Sequence, residues 1–500
     1  MANMGLIRGR KGIEVPEYDR SSISPGVVNL GLRDFHRVHS ATYFDKLLHM
    51  PSNKSWGIVN VALSAPQRKA VQELKVQNSL YTVVEKNSTG LPDLRVIGSV
   101  LDCMSSADDS LAVSALIGSN STRIVMLTLK ESNYFFLPDF SRLNHNDPHI
   151  RLDMLSGPNK PQKTPVGMLV LGLYQRFKNK GHPLTVLSCE NIMRNGELAR
   201  AMVEQYALLR YPMDPEFHRW LSTSVFYPNT MCDRICLTDP SEDRISLQQE
   251  FGIRDNALLT TESFSEWIVE KWMGDKPEGM NNVGIKMVPS TVPYENLKIR
   301  LNYGSRLSVG ILAHALGHET FEAAMGDDTI AKFAKKFMDE VSGGLGALPK
   351  DVNIEEYKDH TMERMKTPGL KYVTHRVTES ASKKVRIDWQ PVLDSLPEDA
   401  PVPIMGATVA VWAHLLANSR LCKTDQIALI DPNASELEPL AKAMIASARN
   451  ANSQASCKMF LAATFAQNTK FTDRLVEATL SSLNGIEKNG IAGEIKRIVN

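Results

Sequence analysis

The chain has 500 residues, 43% of them hydrophobic and 23% charged, with a formal net charge of +1. That length exceeds what one hydrophobic core serves, so two large domains are expected, and the near-zero charge gives nucleic acid or an acidic membrane surface no electrostatic hold. No apolar run approaches the roughly 20 residues of a bilayer-spanning helix, and no secretory apolar segment follows Met1, so no membrane partner is expected.

Cys103, Cys189, Cys232, Cys236, Cys422 and Cys457 are scattered through apolar segments. That usage suits reduced thiols and a cytoplasmic location, with organellar import as the alternative because residues 1–11 are basic. Residues 1–24 read as an irregular arm. Residues 26–31 then read as a buried strand ending in a glycine turn, followed by a helix through Tyr43 and Leu48. A strand, a glycine turn and a helix start form the first unit of a dinucleotide-binding fold, because glycine lets the backbone approach a pyrophosphate at a helix N-terminus. Residues 56–63 read as the second strand, and Gln67 stands where such folds place an acid for the adenosine ribose. Glutamine offers no carboxylate, so neighbouring Arg68 and Lys69 favour a 2′-phosphate, and NADP over NAD.

Residues 80–85, 94–98 and the run from Arg123 are further strands, residues 165–176 an amphipathic helix, and residues 184–189 a strand delivering Glu190 and Asn191. Asn195-Gly196 alone reads as a turn. Pro289 and Pro293 bracket a short polar run that reads as a hinge. Beyond it, Leu297, Leu301, Leu307, Ile311, Leu312 and Leu316 recur at helical spacing, and the same period places Lys298, Asn302 and Arg306 together on another stripe. A lysine beside a packed stripe loses water, which disfavours its ammonium form and suits a general base taking a proton from a hydroxyl. The plain alternative is a snorkelling lysine. Helices are expected over residues 327–341, 353–365, 387–395, 405–417 and 437–448, and the basic run 374–384 reads equally as a solvated loop or a substrate contact. His314 and His318, like Cys232 and Cys236, are four residues apart, but no third ligand lies nearby, so no metal is expected.

Several of these segments together resemble the polyol-specific long-chain dehydrogenases, the family of mannitol 2-dehydrogenase and of enzymes acting on fructuronate, tagaturonate and altronate. Pro228-Asn-Thr-Met-Cys-Asp-Arg-Ile235 matches the family's Pro-Asn-x-Met-x-Asp-Arg-Ile, and Ser188-Cys-Glu-Asn191 is similar to its Ser-Cys-Asp-Asn. Gly31, Phe35, Arg37 and His39 match its glycine-turn motif, with Arg33 in place of the second glycine. Its Lys-x4-Asn-x2-His falls on Lys298, Tyr303 and Arg306.

The resemblance implies an α/β Rossmann-type domain over residues 25–288 and a mainly α-helical substrate domain over residues 289–500. It also implies a metal-independent oxidoreductase moving hydride between NAD or NADP and a secondary alcohol of a sugar alcohol or sugar acid. It assigns Lys298 as base and Asn191 as oxyanion donor, with Tyr303 and Arg306 at the remaining catalytic positions. Gly31, Arg33, Phe35, Gln67, Glu131 and Asp233 fall to the cofactor, and Glu295, Arg376 and Lys384 to the substrate. Arg33 either clashes with the cofactor or pairs with a phosphate. Tyr303 and Arg306 shrink the pocket and suit a smaller or carboxylate-bearing substrate. The four departures, Arg33, Gln67, Tyr303 and Arg306, also motivate a second reading: a degenerate homologue with weakened or lost cofactor binding, working inside a protein complex, where the enzyme is expected to be a monomer.

Overall fold

The computed structural model describes residues 12–137, 141–157, 159–237, 239–397, 399–418, 431–465 and 472–500. Contacts divide the chain into two compact units. One takes the described residues up to Asn87 with Leu91–Thr291, the other Ser88–Gly90 with Val292–Asn500.

The first unit is built on a six-stranded sheet whose strands, in chain order, are β1 (Pro25–Leu30), β2 (Gly57–Ala62), β3 (Val100–Ser105), β4 (Ile124–Leu127), β5 (Leu184–Ser188) and β6 (Val225–Phe226). Every pairing is parallel and the spatial order is 3-2-1-4-5-6. This is the Rossmann order. It reverses between β1 and β4, and such folds bind ligands in the crevice beyond the carboxyl ends of the strands at that reversal. Alternate residues feed two cores: Val27, Ile58, Ile124 and Leu187 pack on one face, Val28, Val61, Val125 and Val186 on the other. Burial on both faces explains why these strands read as continuous apolar runs.

Several elements differ from the sequence expectation. Residues 80–85 and 94–98 are strands as expected, and they pair antiparallel with one another in a separate four-stranded sheet with Ile13–Glu14 and Leu259–Glu262. The third Rossmann strand is Val100–Ser105, which follows the hairpin after two residues and was hidden by it. The described part of the N-terminal arm is not irregular. Ile13–Glu14 adds a strand to that sheet, and the Arg20 guanidinium donates to the Gly98 and Val100 carbonyls at 3.0 and 2.7 Å. Pro165–Lys178 is buried all round from Pro165 to Leu173 and has no polar face there. Asn195-Gly196 opens the helix Asn195–Arg210. A three-stranded sheet of Thr230–Asp233, Glu266–Glu270 and Ile285–Val288 completes this unit.

The second unit is helical around one core containing Leu297, Leu301, Leu307, Ile311 and Leu312. Asp328–Ser342, Ile354–Met365, Pro403–Ala417 and Ala434–Ser447 lie close to the expected helices, while Ser453–Thr464 and Thr472–Val499 are additional. Residues 374–384 are not a loop throughout but carry the short helices His375–Thr378 and Ala381–Lys384. The expectations on residues 1–11 and Cys422 lie outside the described residues. No described helix is long and apolar enough to cross a membrane.

Candidate active site

The functional side chains fall into two groups, and the first surrounds a cavity of about 460 Å³ at the carboxyl ends of β1, β4 and β5. β1 ends at Gly31, whose φ of 104° lies in the region glycine tolerates, and a Cβ there would meet the Thr128 carbonyl oxygen at 2.2 Å. A buried polar network holds this turn. The Asn29 amide donates to the Gly31 carbonyl at 2.9 Å and to Asn60 Oδ1 at 3.0 Å, and the Thr128 hydroxyl donates to Asn29 Oδ1 at 3.0 Å. Asn29 and Asn60 face each other in register across β1 and β2, and a lone asparagine in each of two apolar runs was the signal the sequence carried for them.

Arg33 caps the helix Asp34–Val38 and lines the cavity with Asp34 and Phe35. Its guanidinium donates to the Leu129 carbonyl at 2.7 Å and lies 3.9 Å from the Glu190 carboxylate, joining the turn after β1 to the ends of β4 and β5. Glu190 accepts the Leu129 N–H. Burial raises its carboxyl to about 8 against the opposing pull of Arg33 and that N–H. Thr128, Glu131 and Asn191 also line the cavity, and Asn191 is exposed. Phe35 stacks on His39 with ring centroids 5.0 Å apart. The residues fit the pyrophosphate of a dinucleotide. The glycine turn allows close approach, a helix begins there, and the one cation among the described lining residues stands beside it. Glu190 was named in the sequence without a role, and an acid directly after the apolar run of β5 was its signal.

The second group lies on the helix that follows Thr291. Val292–Glu295 is α-helical, Asn296–Tyr303 is a π-helix and Gly304–Leu316 is α-helical again. The α spacing expected for Lys298 and Asn302 therefore does not hold. In a π-helix backbone bonds run from i to i+5, so Tyr303 stands one turn above Lys298. Lys298 Nζ lies 5.3 Å from the centre of the Tyr303 ring. Side chains fix the wide turn from outside: Asn296 and Arg300 donate to the Ala347 and Leu345 carbonyls at 3.0 and 2.9 Å, and the Trp389 indole donates to the Gly304 carbonyl at 3.1 Å. Trp389 itself ends a second π-helix, Val385–Trp389. Glu295 and Lys298 are both 2% exposed and Arg306 is 3% exposed. The Nε and Nη2 atoms of Arg306 are buried without an acceptor among the described residues.

The structure places the remaining expected residues elsewhere. Gln67 sits in the first turn of the helix Ala65–Val76, where its amide oxygen accepts the Leu63 N–H at 2.7 Å, and Arg68 pairs with Asp108. Asp233 is buried at the end of its strand and is not among the residues lining the cavity. Its neighbour Arg234 is no surface residue. It donates to the Glu262 carbonyl and, at 2.6 Å, to Glu85. Arg376 is exposed, while Lys384 folds back onto the Val377 carbonyl at 2.6 Å, and burial lowers its pKa. His314 lies in the last helical turn and His318 beyond the Gly317 cap, so they share no helix face. Among the described residues no group of three or more His, Cys, Asp or Glu is placed to hold a metal ion.

Residues 25–278 match the family model for the mannitol dehydrogenase Rossmann domain, and residues 290–483 match that for the mannitol dehydrogenase C-terminal domain. A mannitol 2-dehydrogenase of Emericella nidulans is 32% identical over 446 residues, covering 88% of this chain and 87% of its own. That of Aspergillus fumigatus is 28% identical over 98% of this chain and 96% of its own. Among solved structures, the Pseudomonas fluorescens mannitol 2-dehydrogenase ternary complex with NAD and D-mannitol is similar at a TM-score of 0.83 and 26% identity, covering 100% of this chain and 99% of that one. A substrate-free D-sorbitol dehydrogenase at a TM-score of 0.82 and 24% identity, over 97% and 98% of the two chains, speaks for the fold alone.

Proposed function

The chain belongs to the mannitol dehydrogenase family, and from that premise we propose that its substrate is a polyhydroxylated carboxylate, a sugar acid, oxidised at a secondary alcohol with Lys298 as general base. It is a mannitol 2-dehydrogenase-like, NAD(P)-dependent oxidoreductase. A nicotinamide cofactor, when bound, would supply the acceptor for the hydride of the alcohol carbon. Lys298 takes the hydroxyl proton, for which it must be present as the free amine, and the family resemblance gives Asn191 the part of hydrogen-bond donor to a developing oxyanion. Such a donor is worth roughly 2.7 to 4 kcal/mol in a dry site. Tyr303 stands where the family carries a second amide. It packs its ring over the lysine and offers a phenol as donor.

The observation that carries the choice of an acid is Arg306. A guanidinium at 3% exposure with two nitrogens lacking acceptors is expensive to bury. A carboxylate meets that fork bidentately, and a neutral hexitol leaves it unpaired. Steady-state assays of hexonates and ketouronates against mannitol and fructose test the reading, with a preference for the acids of at least about a hundredfold in kcat/KM expected. Efficient mannitol oxidation by the natural sequence overturns it.

A further inference from the structure

Arg33 stands where the family carries a glycine, and its side chain lines the cavity. It holds the Leu129 carbonyl at 2.7 Å and lies 3.9 Å from Glu190, yet its side chain remains 43% exposed. That exposure separates it from a structural arginine such as Arg234, whose side chain is 2% exposed and which grips several acceptors at once. Arg33 makes one good hydrogen bond and one loose ion pair, so it can leave for a better anion. A nucleotide phosphate in this cavity beside the Gly31 turn is such an anion.

We propose that Arg33 is a latch on the dinucleotide groove: nucleotide binding draws its guanidinium from Leu129 and Glu190 onto a phosphate, and an ionised Glu190 takes a proton from solvent as it is left behind. This rests on the dinucleotide reading above. The groups facing Glu190 decide the sign. Asp34 comes from the turn after β1, Glu131 and Tyr134 from the segment after β4, Cys189 from the end of β5 and Cys232 from the strand Thr230–Asp233. None is a cation, so when Arg33 moves Glu190 loses the one positive neighbour it has among the described residues. Among the described residues the Leu129 N–H alone then favours its carboxylate, and its pKa rises above the value of about 8 that it has with Arg33 in place. Below that value the carboxyl is already protonated and binding takes up little. Above it, binding the nucleotide and binding the proton become one event, and affinity falls as pH rises.

Calorimetric titration of the full-length protein with ADP-ribose, which carries both phosphates and no nicotinamide, in buffers of different ionisation enthalpy measures the proton directly. Expected is little uptake at pH 7, roughly half a proton or more near pH 9, and an affinity up to about tenfold weaker at the higher pH. Glu190→Gln keeps an acceptor for Leu129 and should lose both the uptake and the pH dependence. Arg33→Gly should lose most of the uptake, because Glu190 then has no guanidinium to lose on binding and meets only the charge of the arriving phosphate. Tight binding with equal uptake in the natural protein and Glu190→Gln overturns the latch and leaves the oxidoreductase reading standing. Absence of ADP-ribose binding in the natural protein and in Arg33→Gly overturns both.

Discussion

Arg306 and Lys298 are buried basic residues on one helix, and their substitution should separate stability from chemistry. Arg306 carries two unsatisfied nitrogens, so the resting protein bears a desolvation cost that only a ligand offsets. Arg306→Met fills similar volume without the charge. It should raise the stability of the ligand-free protein by roughly 1 to 4 kcal/mol, read from urea midpoints, while turnover of sugar acids collapses. Loss of stability instead would mean that the guanidinium has found an acceptor. Lys298→Ala should lower kcat by about 10² to 10⁴ while nucleotide affinity stays within about threefold, because the base acts on the alcohol and not on the pyrophosphate. Unchanged turnover would remove Lys298 from the mechanism. At this scale the sequence was informative about residue types and poor about neighbours. Lys298 and Arg306 could be named from motif position, but Tyr303 as the partner over the lysine requires the i+5 turn. Arg33 could be seen as a misplaced side chain, but its hold on Leu129 links residues 96 apart.

The π-helix Asn296–Tyr303 is the element that sets the spacing between Lys298 and Tyr303. Such turns persist where side chains over-determine them, and Asn296, Arg300 and Trp389 do so here through three carbonyls. Deleting Ile299 should restore α-helical bonding and turn Lys298 by about 100° relative to Tyr303. The variant is expected to keep its circular dichroism and its ADP-ribose affinity but to lose turnover. Wild-type turnover would show that the wide turn is incidental. No periodicity argument could have found this element. Eight residues are too few for a change of period to register, and Leu297 and Leu301 are buried in the π-helix as they would be in an α-helix. The strands were legible where burial on both faces made unbroken apolar runs, as in β1 and β2. They were legible as strands, but not by sheet, where two sheets follow each other in the chain, because Tyr81–Lys86 and Asp93–Ile97 carry no mark of the sheet they join.

Every described core cluster draws its residues from one unit alone: three lie within the first, and the large helical core lies within the second. A unit with its own core and its own cavity meets the conditions for independent folding. Residues 1–291, produced alone, should therefore unfold cooperatively and bind ADP-ribose with an affinity within a few fold of the full chain, since Gly31, Arg33 and Glu190 all belong to this unit. The same fragment reports on nucleotide choice. Gln67 spends its amide oxygen on Leu63 and presents no carboxylate to a ribose, while Arg68 is held only by an exposed pair with Asp108 that a 2′-phosphate can displace. A charge-assisted contact is worth about 1.5 to 3 kcal/mol, so NADP should bind at least about tenfold more tightly than NAD, and Arg68→Ala should erase the difference. Equal affinities in the unmodified fragment would place the discriminating contact elsewhere. A fragment that folds but prefers NAD would show that the absence of an acid at Gln67 does not decide the cofactor.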